Sequence, residues 1–315
     1  MIKIKIVLLF TIFILFTVKG QTHEIAKRFS GHSEFVLGIT QSPNGKYLLS
    51  GSDDELAYLW NEKGEIVLAI DVHEKSVNDV TFSPDSKRFI TAGSDQTFVI
   101  WDIKGVKVKT IIADKIYVKT IVYSNDGNFI LSGGGDNIAR LWTSEGELIR
   151  EFKGHTCTIY QASFSPDDKS IVLASCDNTV SVWSINGEKK ITIEYHSSGV
   201  SAASFSPNGK NILTASFDKT AALWNLNGDL LTSFIGHTGE INQAEFSTNG
   251  QYILTAGEDA TAKLWKIDGS LIKTFGEINK VEYTSATLSI DGRFAIVSSK
   301  NNEIDFWYLP LVNGN

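Results

Sequence analysis

Five of the six histidines stand 28 residues before a tryptophan: His32, His73, His155, His196 and His237. An aspartate stands six residues before six of the tryptophans: Asp54, Asp95, Asp136, Asp177, Asp218 and Asp259. A hydroxyl stands ten before five of them: Ser50, Thr91, Ser132, Thr214 and Thr255. Imidazoles and carboxylates are the raw material of metal sites and of general acid–base work. Here, however, copies of each residue type recur once per period, which places them in separate structural units and too far apart to share an ion. Within one unit the four side chains fit a different chemistry. Indole only donates a hydrogen bond, hydroxyl and imidazole both donate and accept, and carboxylate accepts. Buried between strands, that relay is favourable when complete, because each orphaned group costs about 1–3 kcal/mol.

The tetrad reads as complete in units one, two, five and six: His32, Ser50, Asp54 and Trp60; His73, Thr91, Asp95 and Trp101; His196, Thr214, Asp218 and Trp224; His237, Thr255, Asp259 and Trp265. Unit three has Asp114 where histidine belongs, and unit four has Leu173 at the hydroxyl position. Unit seven keeps only Trp307, with Asn301 in place of the aspartate, and is the expected soft unit. The assignment of these residues is therefore structural. The paired acids Asp53-Asp54 and Asp167-Asp168 fall at turn positions, and nothing resembles a calcium loop. No Gly-x-Ser-x-Gly, His-Glu-x-x-His or P-loop is present. The expectation is no catalytic residue, no metal site and no cofactor.

The elements that position these residues follow from the tryptophans, at 60, 101, 142, 183, 224, 265 and 307. A period of 41 residues, repeated, marks one supersecondary unit written seven times. In the sixth unit four short strand patterns appear, Ile241 to Phe246, Tyr252 to Ala256, Ala262 to Trp265 and Leu271 to Phe275, with turns between them. Gly64, Gly105, Gly146, Gly187, Gly228 and Gly269 each follow their tryptophan by four, where a hairpin turn needs positive φ. A second turn series runs through Ser42-Pro43-Asn44-Gly45 and Ser206-Pro207-Asn208-Gly209, where proline presets φ and glycine relaxes the last position.

At these residues the chain resembles the WD-repeat (β-transducin-like) family. Gly31-His32, Gly154-His155 and Gly236-His237 match that family's Gly-His element, and the aspartate and tryptophan series match its turn and closing positions. Residue 102 alone supplies an aspartate after the tryptophan. The resemblance covers residues 22–308 and implies an all-β, seven-bladed β-propeller built on Asp–His–Ser/Thr–Trp tetrads. It also implies that partners dock on the face made by the Gly-His loops and Asp turns.

Unit seven ends too early for its own fourth strand. Glu24 to Phe29 resembles the fourth-strand segments Glu147 to Phe152 and Ser270 to Phe275, so a closing strand at about 23–29 is expected to pair with the strand of Trp307. A closed ring hides sheet edges. Residues 1–20 stand outside the repeat: two lysines by position 5, an apolar run from Ile6 to Val18, then Lys19-Gly20. That run spans about 20 Å as a helix, short of the roughly 30 Å hydrocarbon core, and reads as a secretory signal peptide. The domain expectation is a signal segment at 1–20 and one propeller at 21–315, with no membrane span once that segment is cleaved; its retention as an anchor, giving an anchored envelope component, is the weaker alternative. The expected location is secreted or periplasmic. Cleavage removes Lys3, Lys5 and Lys19 and no acid, leaving a net charge of −10, which disfavours nucleic acid.

Cys157 and Cys176 flank the fourth unit's His155 and Asp177. An oxidising compartment permits a bridge, but two half-buried thiols are the preferred reading. Counting positions before the first strand and before the turn Asp gives Phe35, Tyr117, Glu240, Asp53, Phe217, Glu258 and Lys300, with Tyr160 nearby, as candidate partner contacts. The functional expectation is a monomeric, exported, non-catalytic scaffold that binds a protein partner. The alternative is an exported propeller enzyme or small-ligand binder working through its central channel.

Overall fold

The computed structural model describes residues 25–277 and 280–310. The signal-segment reading of 1–20 lies outside those residues, as do the first two positions of the expected closing strand. Strand follows strand without an intervening helix among the described residues, 28 in all and each of six residues. They pair antiparallel into seven four-stranded sheets. Blade one is β2 (Val36–Gln41), β3 (Tyr47–Ser52), β4 (Leu56–Asn61) and β5 (Ile66–Asp71). Blades two to six repeat it over 77–112, 118–153, 159–194, 200–235 and 241–276.

The blades form a seven-bladed β-propeller. Blade seven combines β26 (Tyr283–Leu288), β27 (Phe294–Ser299) and β28 (Glu303–Tyr308) with β1 (Ile25–Ser30) as its outer strand. Ile25 stands opposite Trp307 and Phe29 opposite Ile304. Arg28 fixes that register by donating to both carboxylate oxygens of Asp305, at 2.6 and 2.9 Å, and it pairs with Glu303 at 2.9 Å. Phe29 then packs on Phe306 of its own blade and Trp60 of the next, with centroids 4.7 and 5.6 Å away.

Burial follows position in the blade. The second and third strands are buried almost throughout, as in β3 and β4. The outer strand buries one residue per blade, namely Phe29, Ile70, Ile111, Phe152, Ile193, Phe234 and Phe275. Each belongs to a core cluster, so hydrophobic burial joins neighbouring blades as well as strands within a blade. The turn after each Asp has a left-handed residue, Glu55, Gln96, Asn137, Asn178, Lys219 and Ala260, and Asn302 follows Asn301 in the same way in blade seven. The Asp side chain offsets that strain by accepting the amide two residues on, as Asp54 does from Leu56 at 3.1 Å.

Candidate protein-binding face

The strands of a blade alternate in direction. The loop before the first strand and the turn between second and third strands therefore meet at one end of the propeller. The polar side chains bind these two segments together. In blade one Trp60 Nε1 donates to Ser50 Oγ at 2.8 Å, Ser50 Oγ lies 2.8 Å from His32 Nε2, and His32 Nδ1 lies 2.9 Å from Asp54 Oδ2. Because indole only donates, the protons run from Trp through Ser and His to Asp. Asp54 also accepts the Ser33 amide at 2.8 Å, which ties the Gly-His loop to the turn.

The same four-membered chain is present in blade two through His73, Thr91, Asp95 and Trp101. It recurs in blade five through His196, Thr214, Asp218 and Trp224, and in blade six through His237, Thr255, Asp259 and Trp265. Burial pushes the Asp95 carboxyl up, but the hydrogen bond and charge of His73 and the bonds from Thr97 outweigh it and hold it at about 2. Both ring nitrogens of all five repeat histidines are engaged within their blades. Among the described residues no group of three or more His, Cys, Asp or Glu is arranged to hold a metal ion.

The remaining blades depart from this in three ways. Blade four is complete, contrary to its sequence pattern: Ser181, across the strand pair from Leu173, supplies the hydroxyl to His155 at 2.6 Å and accepts from Trp183 at 2.8 Å. In blade three Asp136 is held by Arg140 at 2.6 Å, and Asp114 in the histidine's place caps the Ile116 amide at 2.7 Å. Burial and the neighbouring Asp136 carboxylate raise Asp114 above the ordinary carboxylate range. In blade seven the indole N–H of Trp307 finds no partner among the described residues, and the histidine position, residue 279, lies outside them.

Cys157 and Cys176 form a disulfide with Cα atoms 5.3 Å apart, which corrects the preferred reading of two thiols. The reason is the relay itself. His155 and Asp177, bonded at 2.9 Å, draw the two loops together and bring their neighbouring cysteines within bridging distance.

The candidate contact residues named from the sequence sit at this end, and two pairs of them are joined by backbone hydrogen bonds. The Asp53 amide donates to the Phe35 carbonyl at 2.9 Å, and the Glu258 amide to the Glu240 carbonyl at 2.8 Å. Phe35 is 38% exposed, and the other seven are partly buried. Tyr160 and Phe217 meet edge to face at 5.2 Å, and Tyr117 shares a hydrogen bond with Thr158 at 2.9 Å. Lys300 is held between Glu258 and Glu282.

Four of these residues, Tyr160, Phe217, Glu258 and Lys300, line a cavity of about 230 Å³ at the channel mouth. Phe35, Asp53, Tyr117 and Glu240 do not line it. Sequence reasoning missed the inner lining, including Asp79, Lys119, Gln161 and Gln243. Gln161 donates to Gln243 across two blades at 3.2 Å. Burial drives Asp79 up to about 6 against amide bonds from Ile121 and Val80 and the charge of Lys119, and burial lowers Lys119. The signal available was polar residues on a first strand, which in a propeller means the channel wall.

Compared with known proteins, the chain matches the family described as IFT122 first beta-propeller over residues 79–309, well over half its length. Residues 23–61 match the WD domain, G-beta repeat. No curated protein matches the chain.

Proposed function

The chain belongs to the WD-repeat β-propeller family, and from that premise we propose that it is an exported, non-catalytic scaffold that binds a protein partner on the end built by the Gly-His loops and Asp turns. Propellers of this kind generally bind proteins. The observation that carries the assignment of the face is its set of aromatic groups: exposed Phe35, and the held rings of Tyr117, tied to Thr158, and of the Tyr160–Phe217 pair. Rings held by rigid neighbours lose little entropy when a partner covers them, which is what contact hot spots require. The disulfide beside Tyr160 supports export, because such bonds persist in oxidising compartments. The polar channel mouth favours a second reading, a small-ligand site around Asp79 and Lys119.

Affinity capture with wild type and with Phe35, Tyr117 and Phe217 all changed to alanine tests the first reading. Wild type is expected to retain a partner that the triple variant releases, with both folded. Equal capture by both sinks the assignment of the face. The mass of the protein recovered from the medium or envelope tests cleavage after the signal segment.

A further inference from the structure

In every blade the first residue of the second strand stands opposite the residue after the tryptophan: Tyr47, Arg88, Phe129, Ser170, Asn211, Tyr252 and Phe294. Four of the seven are rings, and they fill seams between blades. Tyr47 packs with Ile103 on the cluster that holds Phe82, Phe129 with Ile185 on the one that holds Phe164, and Tyr252 with Leu309 on the one that holds Leu288. Across the seam from blade four the equivalent residues Phe205 and Leu226 are in place, but blade four offers only Ser170. A cavity of about 340 Å³ opens there, lined by Ser170, Val182, Phe205, Asn208 and Leu226 together with Lys190. By comparison, roughly 150 Å³ of apolar space accepts a benzene ring.

Lys190 is the second departure from the repeat. Its counterparts are Ala26, Val67, Val108, Ile149, Leu231 and Ile272, all apolar. Lys190 Nζ donates to Ser170 Oγ at 2.9 Å, which places an ammonium beside the missing ring. The cleft therefore combines the apolar walls of a ring site with a donor suited to a phenolic oxygen.

We propose that the seam between blades four and five is a socket for a tyrosine side chain of a protein partner. Its ring lies as Tyr47 and Tyr252 lie in their own seams, and its hydroxyl accepts from Lys190. Only the protein origin of the ring rests on the scaffold reading. The cleft adjoins the Ser165-Pro166-Asp167 turn, at the opposite end of the strands from the His155 loop and the Asp177 turn, so the two sites can fail separately.

The test uses p-cresol, the tyrosine side chain as a free molecule, and N-acetyl-tyrosinamide, which adds a backbone. Binding is followed by the methyl resonances of Val182 and Leu226. Both probes are expected to shift these methyls at low-millimolar concentration. Ser170→Tyr is expected to abolish both responses while raising Tm by about 2–4 °C as it fills the cavity. Lys190→Met is expected to weaken p-cresol about tenfold, the loss of a bond to a charged donor. Should Ser170→Tyr fail to fold, Leu226→Trp, at the exposed mouth, supplies the same block. Absent shifts in wild type overturn the socket, as do undiminished shifts in the blocked variant. Binding of p-cresol without N-acetyl-tyrosinamide overturns the partner-borne origin of the ring.

Discussion

His155 Nε2 lies 2.6 Å from Ser181 Oγ, a hydroxyl on the third strand of blade four rather than the second. Ser181 stands directly opposite Leu173, so its side chain reaches the space the usual hydroxyl would occupy. Trp183 donates to the same oxygen at 2.8 Å, which makes Ser181 the sole link between indole and imidazole. Ser181→Ala is expected to destabilise by about 1–3 kcal/mol, since two buried groups lose their partner. Leu173→Thr added to it should restore most of the loss, by moving the hydroxyl back to the strand that carries it in blades two, five and six. Urea denaturation of the three proteins checks this. A single variant within a few tenths of wild type would show that the relay in blade four carries no stability.

That relay marks the limit of reading a repeat by position. Strand order, blade number and the closing strand were legible because each depends on a residue type recurring at a fixed offset. The sixth unit's strands fall within a residue of their expected bounds: its second was expected over Tyr252 to Ala256 and is Tyr252–Gly257. Ser181 was not legible, because a cross-strand neighbour can supply the same oxygen from a different offset. Nor were Asp79, Lys119 and Gln161, whose role comes from closing the ring and not from their own blade. The disulfide was half legible, since the spacing brought the cysteines close but did not decide between bond and thiols.

Ring closure depends on the pairing of β1 with β28. Arg28→Ala leaves Asp305, whose side chain is 8% exposed, without its bidentate partner. A loss of about 1–3 kcal/mol is expected. Deleting residues 22–30 also exposes the edge of β28 and strips Phe29 from Trp60. Thermal melts should show a clear fall for both, larger for the deletion. A deletion variant that melts cooperatively at the wild-type temperature would contradict the closure.

The Cys157–Cys176 bond closes a short loop, with a sequence separation of 19, which bounds its stabilisation at about 3 kcal/mol. Unfolded without reductant, the protein should titrate no free thiol. Reduction or Cys176→Ser should lower Tm. Two titratable thiols would exclude the bond.

Glu245 gives a pH dependence of definite sign. Burial pushes its carboxyl up to about 7, against hydrogen bonds involving Thr287 and the Leu288 backbone. The unfolded chain ionises this group near pH 4.5, while the folded chain keeps its proton until about 7. Its contribution to stability is therefore full below pH 4.5 and lost as pH rises through 7. Relative to wild type, Glu245→Gln should gain on the order of 2–3 kcal/mol across that window and stay level above it. Denaturation at a series of pH values measures this, and a difference independent of pH contradicts it.

The central claim is that the end carrying the Gly-His loops and Asp turns binds a protein through its fixed aromatic residues. Isothermal titration of the captured partner against Phe217→Ala, beside wild type, tests it most directly. Phe217→Ala removes one half of the Tyr160 pair and should weaken binding at that face at least tenfold, about 1.4 kcal/mol or more. Full affinity in Phe217→Ala would contradict the account.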